Sequence, residues 1–248
     1  MEITDLLRSA RRILVFTGAG ISTASGIPDF RGPNGIWKRR RPVYFDEFLE
    51  SAEARIEYWD FKLEGWEILS RAQPNAVHQA IVSLERAGKI GAVVTQNVDG
   101  LHRVAGTSPE LLVELHGTDR LVACLQCAAT SDPIPHFERF RATRQPPRCT
   151  CGGLLKPATI SFGQSLNERD LERAAAAAAS ADLVLALGST LSVYPAASTP
   201  LLAAQRGIPY IIVNQGPTEH DGRPEVTIRL DGDVTTVVPA AIRSALGD

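Results

Sequence analysis

The run Ile-Leu-Val-Phe-Thr at residues 13–17, followed at once by Gly18-Ala19-Gly20, constrains this chain more than any other stretch. Its residues alternate no polar face with an apolar one, so they suit a strand buried on both sides, as in a parallel sheet. The glycines then turn the chain tightly. The expected successor is a helix, whose N-terminal N–H groups and partial positive charge would hold a diphosphate. Gly18 and Gly20 are read as positions where the backbone takes positive φ and approaches a pyrophosphate. The full dinucleotide fingerprint is broken, because Thr23 stands where a third glycine belongs and the next one is Gly26. On glycines alone, a nucleotide cradle and a plain strand-to-helix turn are equal readings.

Periodicity extends the pattern. Short apolar runs at 92–95, 111–115, 183–187, 210–213 and 226–230 read as strands, and residues 2–10, 75–87, 168–180, 196–206 and 234–246 as helices. Alternating strand and helix implies an α/β fold, a doubly wound, parallel, Rossmann-like sheet with right-handed crossovers. Residues 42–71 carry Tyr44, Phe48, Tyr58, Trp59, Phe61 and Trp66 at helical spacing. They read as a small helical unit packing on its own core rather than as an aromatic cofactor box.

Cys124, Cys127, Cys149 and Cys151 are the only cysteines. Cys-x-x-Cys followed at a distance by a second close pair is a zinc-ribbon spacing. The second pair is Cys-x-Cys, tighter than the commoner form, and Gly152-Gly153 beside it supplies backbone freedom. Four thiolates leave no coordination position for a catalytic water, so one structural Zn2+ is expected. Disulfides are the competing reading. The charged, amphipathic first residues do not resemble a signal peptide, which places the chain in the cytoplasm, where thiols stay reduced. No apolar run approaches the ~18 residues of a membrane span. A net charge of −2 gives no overall basic footprint for nucleic acid. The basic run at 38–41 reads more readily as a solvated loop than as a phosphate-binding patch.

Polar residues gather at strand ends, where open parallel sheets bind ligands. Gln96, Asn97 and Asp99 follow the strand at 92–95, too many polar groups for a turn to need. His116-Gly117 follows 111–115, and an imidazole that titrates near neutrality is a candidate general base. His78, His136 and His220 lack polar company and read as structural or exposed, while His102 reads as support behind a ligand. Beyond the glycine turn, Pro28, Asp29, Phe30 and Arg31 stand side by side where a crossover helix would continue.

The run Gly-Ala-Gly-Ile-Ser-x-x-Ser-Gly-Ile-Pro-Asp-Phe-Arg from Gly18 to Arg31, the Gln-Asn-x-Asp-Gly-Leu-His run from Gln96 to His102, and His116-Gly117 together resemble the sirtuins, the NAD-dependent protein deacylases. Matching stretches continue through 156–164 and 188–195 to Asn214, so the resemblance covers about 14–234. It implies one catalytic unit. A large NAD-binding part would span about 1–36, 73–119 and 156–248, and a smaller part would join a helical insertion, about 37–72, to a zinc ribbon, about 120–155. It also implies NAD contacts at Gly18, Ala19, Gly20, Ser22 and Thr23, at Asp29, Phe30, Arg31 and Trp37, and at Gln96, Asn97 and Asp99. Gly188, Ser189 and Thr190, then Asn214, Gln215, Gly216 and Val234, would complete them. The loops at 156–164 and 188–195 would bracket an extended acyl-lysine peptide by main-chain hydrogen bonds, with Phe162, Gly163 and Val193 at the substrate; Gln164 stands where the family has glutamate.

In the implied chemistry NAD is consumed and no hydride moves. The acyl-lysine oxygen attacks the ribose anomeric carbon, nicotinamide leaves, His116 takes a proton from a ribose hydroxyl, and water completes release of lysine and O-acyl-ADP-ribose, with Asn97 and Asp99 orienting the ribose. Rival readings are ADP-ribosyl transfer or NAD hydrolysis on the same fold, told apart by whether nicotinamide release needs an acylated peptide, and a non-enzymatic NAD-sensing module, disfavoured by His116. Sirtuins preferring acidic acyl chains carry a tyrosine and, three residues on, an arginine beside the acyl tunnel. The corresponding helix here is Glu57 to Lys62. With Trp59 and Lys62 at those positions, neutral acyl-lysines are expected, whereas Tyr58 with Lys62 would make an unusual acidic-acyl site.

Overall fold

The computed structural model describes residues 2–30 and 35–247. β1 (Ile13–Thr17) is buried at every position. It pairs in parallel with β2 (Ile90–Thr95) on one side and β7 (Leu183–Leu187) on the other. β3 (Leu112–Glu114) lies beyond β2, and β8 (Tyr210–Asn214) and β9 (Ile228–Asp231) lie beyond β7, giving a six-stranded order β3-β2-β1-β7-β8-β9. Every pairing in this sheet is parallel.

Side chains alternate across such a sheet, and both faces are covered. Ile13, Val15, Leu183, Leu185, Ile211 and Val213 meet α1 (Ile3–Ser9), α4 (Ala76–Arg86) and α9 (Val234–Leu246) on one face. Leu14, Phe16, Val184, Ala186 and Ile212 meet α7 (Glu168–Ser180) and α8 (Ser198–Ala204) on the other. The alanines of α7 that point inward, Ala174 and Ala178, let that helix lie close to the strands.

From β1 the chain builds outward to β2 and β3, then returns to β1's other side to build β7, β8 and β9. The connections therefore part between β1 and β7, opening a crevice at the carboxyl ends of those two strands. Thr17 sits level with Thr95 and Leu187, and Asn214 with Asp231, so the strand ends form one rim.

A second sheet is antiparallel, with β4 (Gly117–Cys124) between β5 (Thr130–Ser131) and β6 (Leu155–Thr159). Its core is Phe48 from α2 (Phe45–Glu50), Tyr58, Trp59 and Leu63 from α3 (Ala52–Leu69), Phe137 and Phe140 from α6 (Pro133–Thr143), and Val122, Cys124 and Leu155 from the strands. Ser51 ends α2 and caps α3, its hydroxyl accepting from Ala54 N–H, so the aromatic segment is two helices. Among the described residues no helix is long and apolar enough to cross a membrane.

Residues 18–25 depart from expectation. Two single 3-10 turns, Ala19–Ile21 and Thr23–Ser25, stand where an α-helix was expected. The reason lies in the neighbouring loop: a Cβ on Gly18 would sit 2.7 Å from the Gly188 carbonyl oxygen, and one on Gly20 2.8 Å from Gly188 Cα. Neither glycine has positive φ; their service is to let two strand-end loops touch. Gly188 does need its left-handed conformation, with φ +60.

Candidate active site

The crevice between β1 and β7 is floored by this interlock. Gly18 N–H donates to Leu187 O (3.0 Å) and Gly20 N–H to Gly188 O (2.8 Å), so these two donors serve the loop contact rather than a diphosphate. Thr23 is exposed and bonds back to Gly20 O. Thr23, Gly26, Ile27, Pro28 and Asp29 line a shallow open hollow beside it. Arg31 lies outside the described residues.

Three of the sequence-derived residues meet over the interlock. Ser22 Oγ donates to Asp99 Oδ2 at 2.7 Å, and Asn97 Nδ2 donates to Ser22 Oγ at 3.2 Å. All three are buried. Asp99 also accepts the N–H of Leu101 at 2.8 Å, which starts α5 (Leu101–Ala105). Burial raises the Asp99 pKa, opposed by the Leu101 N–H, the Ser22 hydroxyl and the Arg120 guanidinium. Arg120, which sequence reasoning did not single out, holds this loop: its Nε donates to Asp99 O and its terminal nitrogen to Leu69 O. Gln96 reaches across the crevice, Nε2 donating to Ser189 Oγ at 2.8 Å, and so ties the end of β2 to the loop after β7.

His116 stands between β3 and β4. Its Nδ1 lies 3.0 Å from the Gln96 carbonyl, which can only accept. The proton is therefore on Nδ1, and Nε2 is left as the basic nitrogen. Its own carbonyl accepts from Ile160 N–H at 2.8 Å, and Gly117, with φ +71, pairs with Thr159. A Cβ on Gly117 would lie 2.0 Å from Ala158 O, so the His-Gly step is what lets β4 leave the histidine and run back along β6.

Aromatic rings join the loop after β1 to the helical segment and to the loop after β6. Phe30 stacks on Trp37 at 5.2 Å, and Trp37 meets Phe162 edge-on at 6.0 Å and Phe61 at 5.5 Å. Tyr44 packs on Phe162 at 5.8 Å, and Phe45 N–H donates to the Phe162 carbonyl at 2.9 Å. The helical segment's aromatics thus divide. Phe48, Tyr58 and Trp59 build the small core, while Phe61 and Tyr44 face the candidate site. Phe61 was missed because it stands among Tyr58, Trp59 and Trp66, whose rings do pack on the small core, and no periodicity separates the two faces of so aromatic a helix.

The acyl-selectivity expectation changes in its details. Trp59 is fully buried against Phe137 and Phe140, so it does not stand at the aromatic cluster around Trp37. Lys62 is held by both oxygens of Asp119 at 2.9 and 3.1 Å, with its ammonium 5.7 Å from the Tyr58 ring. The Tyr58 hydroxyl is engaged by Thr159 Oγ1. In the basic run, Arg40 pairs with Glu64 and lies over the Phe61 ring, and Arg41 pairs with Glu47; both brace the helical segment.

The remaining positions lie along the rim. Gly163 has φ +80, and Gln164 Oε1 accepts from Ser161 N–H, closing the 161–164 turn with an acceptor that glutamine supplies as well as glutamate does. Thr190 Oγ1 meets Ser192 Oγ, and Val193 is half-buried in the same loop. Asn214 is buried and donates to the carbonyls of Gln215 and Gly216, while Gly216 N–H bonds Asp231. Val234 begins α9 with its side chain in the core. His78 and His220 are buried but not without polar company, because each meets a partner that is distant or backbone: His78 Nδ1 meets Asn75 N–H and His220 Nδ1 the Tyr210 hydroxyl.

The four cysteine sulfurs lie within 4.8 Å of one another. Cys124 and Cys151 are 3.5 Å apart, and Cys127 and Cys149 3.8 Å, far too long for S–S bonds. Thiolates around a tetrahedral zinc, at ~2.3 Å each, stand about 3.8 Å apart, so the donor set fits that ion. The Cys127 and Gln126 N–H groups point at Cys124 Sγ and lower that thiol's pKa to about 6. The tighter Cys-x-Cys is accommodated because Gly153 has no Cβ, which would lie 2.7 Å from Cys124 Sγ.

Known proteins resemble this chain over most of its length. The Sir2 family model matches residues 18–195. An NAD-dependent protein deacetylase 1 of Bradyrhizobium diazoefficiens is 44% identical over 230 residues, 93% of this chain and 91% of its own. An NAD-dependent protein deacetylase of Caldivirga maquilingensis is 40% identical over 224 residues, 90% and 85% of the two chains. A Sir2 solved with a p53 peptide and NAD+ superposes with a TM-score of 0.88 at 33% identity, over 100% of both chains.

Proposed function

This chain belongs to the Sir2 family, and we propose that it is an NAD-dependent protein-lysine deacylase that consumes NAD and an acyl-lysine peptide and yields nicotinamide, free lysine and O-acyl-ADP-ribose. One observation carries the assignment to these residues: His116 Nδ1 is held by the carbonyl of Gln96, the residue next in the chain to Asn97, which makes Nε2 its basic nitrogen and ties the histidine to the loop that carries the Ser22, Asn97 and Asp99 cluster. A binding module needs no such base.

Each group has a task that its surroundings support. Asn97 and Asp99, fixed by Ser22 and Leu101, orient the NAD ribose; burial of Asp99 keeps it out of water without removing its partners. Ala19, Ser189, Thr190, Asn214, Gln215 and Gly216 lie on the strand-end rim that receives the rest of the dinucleotide. Phe30 and Trp37 cover the nicotinamide side and Trp37 meets Phe162, so the acyl chain enters where cofactor and peptide loops touch. Placement of the acyl oxygen against the ribose supplies much of the rate. His116 Nε2 then takes the ribose hydroxyl proton. The loops carrying Phe162, Gly163 and Val193 bind the peptide main chain, which tolerates many sequences. Cys124, Cys127, Cys149 and Cys151 hold one Zn2+, which braces the antiparallel sheet and touches no reacting atom.

The test is nicotinamide release with NAD alone, with unmodified peptide and with acetyl-lysine peptide. A deacylase releases it with the acetylated peptide only. Equal release in all three arms assigns NAD hydrolysis instead.

A further inference from the structure

Hydrogen bonds around Ser22 form a chain that almost closes on itself. On one side Asn97 donates Nδ2–H to Ser22 Oγ and its backbone N–H to Thr95 Oγ1 (3.0 Å). Thr17 Oγ1 donates to Thr95 Oγ1 at 2.8 Å and lies 3.0 Å from His102 Nε2. On the other side Asn75 Nδ2 donates to Ile21 O (2.8 Å) and Ser25 Oγ (2.9 Å), either side of Ser22, and Asn75 N–H points at His78 Nδ1 (3.3 Å). The His78 and His102 rings then meet at 5.1 Å and 60° with no hydrogen bond between them. Every link is present except this one.

The tautomers follow from the partners. Thr17 has given its proton to Thr95, so it accepts from His102, which carries its proton on Nε2 and leaves Nδ1 as an acceptor. Asn75 N–H has, among the described residues, no acceptor but His78 Nδ1, as in the capping box that starts α4, so Nδ1 is read as the acceptor and the His78 proton as carried on Nε2; Asn75 Oδ1, 3.2 Å from the same nitrogen, accepts from Val77 N–H. Among the described residues His78 Nε2 and His102 Nδ1 are both buried without a partner. One is a donor without an acceptor, the other an acceptor without a donor, on adjacent rings. Thr107, whose N–H bonds the His102 carbonyl, adds a third buried polar atom without a partner, its hydroxyl. Leaving such groups unsatisfied is costly, and a small polar space with several of them is where a structural water resides.

We infer that His78 and His102 are positioning residues, joined by a hydrogen bond from His78 Nε2–H to His102 Nδ1, direct or carried by one buried water, and that the closed circuit holds Asn97 and the 19–25 turn in one arrangement. Burial keeps both rings neutral, with His102 lowered to about 3 and His78 to about 4. The circuit acts on NAD through Asn97, which rests on the function proposed above, whereas the bond itself does not.

Imidazole 15N spectra of the full chain test the bond without turnover. Both rings are expected as neutral Nε2–H tautomers from pH 8 to 5; a proton on His102 Nδ1, or a cationic ring at pH 6, overturns it. His78→Phe and His102→Gln, the latter keeping an amide donor for Thr17, then test the circuit. Each is expected to lower kcat/KM for NAD about tenfold with the peptide KM unmoved, and the double variant to be no worse than the poorer single one, because either change opens the same circuit. Effects that multiply, or singles with no effect on NAD, overturn the coupling. Should the variants misfold, the wild-type spectra still decide the bond. A wild type without deacylase activity would fail the functional reading and leave the spectra to decide this one.

Discussion

The rim of the parallel sheet and the cysteine cluster solve opposite problems. At the rim, Ser22, Asn97 and Asp99 are buried polar groups whose positions are dictated by two covered sheet faces and by backbone loops that touch through glycine. The cysteines sit at the edge of a small core, two of them exposed, in a sheet one of whose outer strands is only two residues long. The rim is held by the fold around it, whereas the ribbon would be held by the zinc proposed for its four cysteines. One region should therefore be sensitive to chemistry at single atoms and the other to loss of the metal.

Removing the metal is the largest way to break that contrast. Structural zinc sites supply on the order of 10 kcal/mol to folding, so Cys151→Ala or a strong chelator is expected to unfold residues about 120–155 while the six-stranded sheet persists. Metal analysis should give one zinc per chain. Full loss of the sheet, or an intact metal-free ribbon, would show that the two regions are not separable in this way.

His116→Ala is the corresponding test at the rim. Losing a general base should lower deacylation by roughly 10² to 10⁴, with NAD binding and Tm close to wild type. Near-normal turnover would remove His116 from the mechanism.

Gly188→Ala sharpens the account of the rim itself. The alanine must hold φ +60 with Cβ 2.5 Å from Ile21 N. A stability loss of about 2–3 kcal/mol is expected. Gly207→Ala, at φ +81 with nothing within 4 Å, isolates the conformational part and should cost about 1 kcal/mol. Equal losses in thermal or chemical unfolding would mean that the loop contact adds nothing.

The smallest expected effect concerns the acyl group. Lys62 is committed to Asp119 and Tyr58 Oη to Thr159, so neither is poised for a carboxylate. Acetyl peptide should exceed succinyl peptide in kcat/KM, and the reverse order would show that this pair re-forms around an acidic chain.

The same contrast explains what could be read in advance. Runs such as Leu183–Leu187 are apolar on both faces and declare a buried parallel strand, so the large sheet and its strand-end residues were legible. Gly18 and Gly20 were legible as important but not for the right reason, because a loop-to-loop contact with Gly188 spans the sequence and leaves no local mark. β4 has a largely half-buried pattern without clean alternation, and α6 has a mixed face, so neither stood out. Arg120 was hidden for a similar reason: its partners, Asp99 O and Leu69 O, are carbonyls that no side-chain motif reveals.

The central claim is tested most directly by following oxygen. An acetyl-lysine peptide labelled with 18O at the amide carbonyl is turned over with NAD, and the products are weighed by mass spectrometry. If the acyl oxygen attacks the ribose, one nicotinamide and one O-acetyl-ADP-ribose form per lysine released, and the label is found in the ADP-ribose part after the acetyl group is removed. Label recovered in free acetate, with unlabelled ADP-ribose, would contradict the account.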